Sequence, residues 1–199
     1  MKNVKAEKFN EKASRSESKP NEVIAALDLK PGQKIVDLGA GGGYFSLRFA
    51  EEVGERGAVY AVDVNPQFLV FVSNAAEEKG LKNVETVLAS ENGFSLPDKV
   101  DLIFVRNAYH HLRDRTRYFK KLKRVLKPNG KLAVVEYCDG GFFSFRHFSF
   151  KHFFSFRRWF GHFVPEKTIE REMGDAGYRL VKKFDFLKEQ SFSIFSKQR

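Results

Sequence analysis

Cysteine is nearly missing from this chain: Cys138 stands alone among 199 residues, so no internal disulfide can form. A reducing compartment, the cytoplasm, is therefore the expected setting. Apolar stretches long enough to span a bilayer are also missing. The opening Met1–Pro20 is charged and polar throughout, which argues against a secretory signal peptide. The five histidines lack acidic or cysteine partners at ligand spacing, so no metal centre is expected. Acids are outnumbered, 25 against 35 Lys and Arg, for a net charge of +10. Such a surface favours anionic partners, although charge alone separates few functions.

What remains suits a single domain over residues 1–199, with 42% hydrophobic and 30% charged residues. Residues 1–20 read as an N-terminal arm, loose or weakly helical, and Pro20–Leu29 as a short amphipathic helix. Beyond the Lys30-Pro31-Gly32 turn, apolar runs alternate with helix-period segments, the pattern of a parallel sheet covered on both faces. Strands are expected at Lys34–Leu38, Ala58–Asp63, Val84–Leu88, Val100–Val105 and Lys131–Tyr137. Helices are expected at Tyr44–Val53, Pro66–Lys79 and Arg115–Leu126, with Gly80 capping the second. A helix over Pro165–Ala176 and an antiparallel pair, Tyr178–Leu187 and Ser191–Phe195, follow. The fold class is thus α/β: a doubly wound, mostly parallel seven-stranded, Rossmann-like sheet with a C-terminal antiparallel hairpin. A Phe-rich, basic cap insert over residues 141–164 interrupts it.

The stretch Ile35-Val36-Asp37-Leu38-Gly39-Ala40-Gly41-Gly42-Gly43-Tyr44 runs from a buried strand through a glycine-rich turn into a helix. Glycines let the backbone approach a ligand closely, and the ligand crevice of such sheets lies at the carboxyl ends of the strands. Dinucleotide enzymes place glycines first, third and sixth; counted from Gly39, the sixth position here is Tyr44. No Lys-Ser or Lys-Thr follows the glycines, so a P-loop is excluded too. Asp37, just before the turn, suits a ligand with a positive amino group and sits poorly beside a pyrophosphate. Asp63, ending the next strand, can accept both hydroxyls of a ribose. The bland alternatives are a solvated strand end for Asp37 and a helix cap or turn residue for Asp63.

Four segments carry a family resemblance: V-D-L-G-A-G-G-G-Y (Val36–Tyr44), A-V-D-V-N-P (Ala61–Pro66), V-D-L-I-F-V-R-N-A-Y-H-H-L (Val100–Leu112) and R-V-L-K-P-N-G-K-L-A-V-V-E (Arg124–Glu136). With them the chain resembles class I S-adenosylmethionine-dependent methyltransferases, in the small-molecule branch that includes the ubiquinone/menaquinone-biosynthesis enzymes. The resemblance implies S-adenosyl-L-methionine as cofactor. Asp37, Gly39, Ala40 and Gly41 would cradle its methionine part, and Asp63 and Val64 its ribose. Ser90, Glu91 and Asn92 would line the adenine pocket, where many relatives carry Gly-Asp-Ala. Arg106, Asn107 and His111 would border the cofactor and the substrate entrance.

Methyl transfer from a sulfonium is an in-line displacement, so the protein chiefly aligns the acceptor, and no triad is required. The candidate catalytic bases are His110, His111 and Glu136; the bland reading of each histidine is a packed core residue. The segment from Gly141 to Phe163 holds ten phenylalanines, four Lys or Arg and no acid. It reads as a cap packed on the sheet, as a lining for a lipophilic substrate, or as a membrane-surface helix over residues 142–163. The expected partner is a small or amphipathic methyl acceptor such as a quinone precursor or a phospholipid headgroup. The rival is a nucleic-acid methyltransferase or RNA-binding protein using the same aromatic and basic residues, ranked lower because core or lipid contact accounts for the phenylalanines more simply.

Overall fold

The computed structural model describes residues 3–90, 93–138 and 163–198. Glu91, Asn92 and nearly all of the Phe-rich insert lie outside them.

Residues 3–20, expected as part of a loose or weakly helical arm, form a helix and a short turn, with the helix held against the glycine turn by Asn10. Helix α1 (Val4–Ser14) starts at Asn3, whose side chain accepts the N–H of Ala6. A single 3-10 turn (Ser16–Ser18) leads into α2 (Pro20–Leu27) with Pro at its first position. The alternating core follows: β1 (Lys34–Leu38), α3 (Tyr44–Val53), β2 (Ala58–Asp63), α4 (Pro66–Glu78), β3 (Val84–Leu88), β4 (Val100–Arg106), α5 (Arg115–Leu122) and β5 (Leu126–Tyr137). Helix α6 (Glu166–Asp175), β6 (Tyr178–Phe184) and β7 (Gln190–Lys197) close the chain. The helix expected to reach Leu126 stops at Leu122, because Leu126 instead pairs with Val100. The register then shifts before Leu102 meets Lys131, so the Pro128-Asn129-Gly130 turn is accommodated as an irregularity within β5.

Among the described residues the seven strands run in the order β3-β2-β1-β4-β5-β7-β6. The first five are parallel, and β7 inserts antiparallel between β5 and β6. Alternation along the central strands divides the core between two faces. Ile35, Leu102 and Phe104 point to the face of α2 and α3, packing with Val23, Phe45 and Phe49. Val36, Ile103 and Val105 point the other way, toward Phe119 and Leu122 of α5 and Ile169 and Met173 of α6. The order of connections reverses between β1 and β4, which opens the crevice at their carboxyl ends.

A half-buried polar clasp fixes the chain just past β4. The Tyr109 hydroxyl donates to Glu172 at 2.7 Å, and Arg115 grips the same carboxylate through Nε at 2.7 Å and Nη2 at 2.8 Å. Two-pronged Arg–carboxylate geometry is strong, and here it ties α5, α6 and the turn at Tyr109–His111 together. Replacing Glu172 with Ala strands the guanidinium and the phenol, so a loss of about 2 kcal/mol in urea-unfolding stability is expected. A change below about 0.5 kcal/mol, the scale of an exposed pair, contradicts this reading of the clasp.

Candidate active site

A cavity of about 1200 Å³ occupies the crevice, lined from β1, β2 and β4, from α1, and from Tyr137 at the end of β5. Its floor is the glycine turn. Gly39 and Gly41 have φ of +80° and +55°, a region that disfavours side chains, and a Cβ on Gly39 would fall 2.4 Å from that of Ala108. The turn is docked on β2: the N–H groups of Gly39 and Ala40 donate to the Val62 carbonyl at 2.8 and 3.1 Å.

Asp63 completes that docking. Its Oδ2 accepts from the Gly41 N–H and its Oδ1 from the Asn65 N–H, both at 2.9 Å. The cap of α4 is Asn65, whose side chain accepts from Gln67 N–H, so Asp63 is not spent on capping. It does fill the turn role, binding the N–H two residues on, yet still lines the cavity. Asp37 is buried rather than a solvated strand end, and the Ser46 hydroxyl donates to it at 2.6 Å. Desolvation pushes its pKa up from 3.8 to about 6, with the Asp63 charge adding to the rise and Ser46 opposing it.

Two carboxylates at neighbouring strand ends, one short of positive charge and the other made only of acceptors, call for a ligand carrying both a cation and hydroxyl donors. S-adenosylmethionine has an ammonium, a sulfonium and a ribose diol, so the residues present fit it. Val64 is exposed at the rim and Ser90 lines the cavity, its hydroxyl donating to the Gly93 carbonyl at 3.0 Å. Arg106 ends β4 at the inner wall, and Asn107 holds the left-handed conformation at φ +53°.

Two of the candidate bases meet. Glu136 is wholly buried and accepts the N–H groups of Tyr137 at 2.9 Å and His110 at 3.2 Å. His110 Nδ1 lies 3.0 Å from the same Glu136 oxygen. The rings of His110 and His111 stand 4.0 Å apart, and both line the cavity.

The site also contains residues that the motif reading passed over. Asn10 of α1 donates to the Gly42 carbonyl at 2.8 Å and accepts from the Tyr44 N–H at 3.1 Å, capping α3 from outside. Ala6 and Phe9 press on Gly42 and Gly41. Ala6, Phe9, Asn10 and Ala13 share one helical face at three- and four-residue spacing, a faint signal among charged neighbours.

Comparison with known proteins agrees with this geometry. Residues 29–162 match a family described as a methyltransferase domain. The ubiquinone/menaquinone biosynthesis C-methyltransferase UbiE of Shewanella frigidimarina is 35% identical over 118 residues, covering 58% of this chain and 46% of that one. The match therefore spans about half the length of that relative. A SAM-dependent methyltransferase from Aquifex aeolicus superposes with a TM-score of 0.78 at 26% identity, covering 97% of this chain and 98% of the other. The YcgJ protein of Bacillus subtilis, 18% identical with a TM-score of 0.68 over 90% and 97%, shares the fold. The chain belongs to the methyltransferase-domain family, within the class I S-adenosylmethionine-dependent group.

The raised pKa of Asp37 has a definite sign. The folded state binds this proton more tightly than the unfolded one, so the associated stability is present below 3.8 and is lost as pH rises through about 6. Asp37→Asn is expected to melt above the wild type at pH 7, with the gap closing toward pH 4, while binding S-adenosylhomocysteine more weakly. Thermal melts across that range, with one titration at pH 7, check both. Lower stability at pH 7 together with unchanged affinity contradicts the assignment.

Proposed function

We propose that this chain transfers a methyl group from S-adenosylmethionine to a small or amphipathic acceptor of the quinone-precursor type. The carrying observation is the pairing of Asp37 and Asp63 around the glycine turn, in a cavity that continues past His110 to Tyr137. When bound, the cofactor supplies an electrophilic methyl group on a sulfonium. Asp37 and the Gly39–Gly41 turn would hold its methionine part, Asp63 and Val64 its ribose, and Ser90 its adenine end, together with Glu91, which lies outside the described residues.

The acceptor occupies the part of the cavity between His110, His111 and Tyr137. His110 takes the acceptor's proton, and Glu136 orients the ring and stabilises the imidazolium that results. The relative from Shewanella, named as a quinone-biosynthesis C-methyltransferase, favours an acceptor of that class. No helix among the described residues is long and apolar enough to cross a membrane. A lipophilic acceptor would then be met at the membrane surface, with residues 142–163 the candidate contact. The nucleic-acid alternative draws on the same insert, which apart from Phe163 lies outside the described residues.

Transfer of labelled methyl from S-adenosylmethionine to a demethylated quinol, with phosphatidylethanolamine in parallel, is the direct test. His110→Ala is expected to lower kcat by about 10²- to 10⁴-fold, the usual scale for a lost general base, with cofactor affinity within about threefold. Labelling of phosphatidylethanolamine alone removes the quinone class, and an unchanged kcat removes His110 as base.

A further inference from the structure

Arg106 carries a charge that the protein leaves unanswered. Its guanidinium is largely buried, 4.9 Å from the centroid of the Phe45 ring. Nη2 donates to the Ser18 carbonyl at 2.8 Å and to Gln190 Oε1 at 3.0 Å. Those two bonds orient the fork, and Gln190 is itself held by the Asn107 side-chain oxygen. Nη1 is buried with no hydrogen-bond partner among the described residues.

No carboxylate among the described residues pairs with this cation. Burial lowers its pKa to about 10, opposed only by the Tyr137 and Tyr44 phenols. A buried, unpaired guanidinium is costly, and arginine does not relieve that cost by losing its proton. Arg106 lines the same cavity as Tyr44, Asn107 and Tyr137, and a planar fork with a spare N–H matches a carboxylate.

We propose that Arg106 is the anion-recognition residue of the cavity, its Nη1 donating to a carboxylate oxygen of a bound ligand. The assignment rests on the methyltransferase reading above, which offers two sources: the carboxylate of the cofactor's methionine part, or an acidic group on the acceptor.

Calorimetric titrations of wild type, Arg106→Gln and Arg106→Lys separate the sources. The probes are S-adenosylmethionine, decarboxylated S-adenosylmethionine and, on protein saturated with S-adenosylhomocysteine, 4-hydroxybenzoate. Arg106→Gln is expected to lose about 10- to 100-fold in affinity for a carboxylate ligand, with decarboxylated cofactor unaffected and Arg106→Lys recovering part of the loss. A loss confined to S-adenosylmethionine assigns the cofactor carboxylate; a loss confined to 4-hydroxybenzoate assigns the acceptor. Equal losses for both forms of the cofactor, or no loss for either carboxylate ligand, overturn the proposal. If Arg106→Gln does not fold, wild type decides: equal affinity for the two cofactor forms and no binding of 4-hydroxybenzoate overturn it. Failure of wild type to bind S-adenosylmethionine at all sinks the functional reading instead.

Discussion

The Asp63 carboxylate is the interaction on which the site depends. By accepting from Gly41 and Asn65 it locks the glycine turn after β1 to the loop after β2. The two strands it joins are neighbours in parallel register, Asp37 opposite Ala61 and Leu38 opposite Val62, so the carboxylate bridges what the sheet has already aligned. Both its bonds go to backbone N–H groups, which leaves it fixed and facing the cavity. A carboxylate held this way needs no reorganisation to receive a diol.

Around that anchor the site is built with charges of opposite kinds left incompletely matched. Asp37 sits buried beside a second carboxylate, and Arg106 sits buried without one. Each arrangement costs stability in the ligand-free chain, and each is relieved by a ligand of complementary charge. The remainder of the structure keeps these groups in place. Asn10 pins α1 across the glycine turn, Gln190 reaches from β7 to the Arg106 fork, and the Arg115–Glu172 clasp steadies the turn that presents His110.

Much of this was legible in the sequence because it is local. Strand β1, the glycine turn and α3 follow one another without interruption from Lys34 to Val53, and the two aspartates stand at strand ends that apolar periodicity alone defines. The Rossmann-like class and the antiparallel hairpin followed from the same periodicity. What escaped was contact at long range. Nothing in residues 1–20 announces that Asn10 caps a helix 34 residues on, since its signal is a narrow stripe of small and aromatic residues in a charged helix. The Gln190–Arg106 contact depends on β7 inserting beside β5, a pairing that the hairpin pattern leaves open. The early end of α5 is likewise tertiary: Leu126 is more useful paired with Val100 than continuing a helix.

The identity of the site turns on what the anchored Asp63 carboxylate recognises. Titration of wild type and Asp63→Ala with S-adenosylhomocysteine, with NADH as control, tests this most directly. Wild type is expected to bind the sulfur nucleoside and not the dinucleotide, and the substitution to weaken binding by about tenfold or more, the scale of charge-assisted hydrogen bonds lost. Binding of NADH instead, or equal affinity for S-adenosylhomocysteine with and without the Asp63 carboxylate, contradicts this reading of the site.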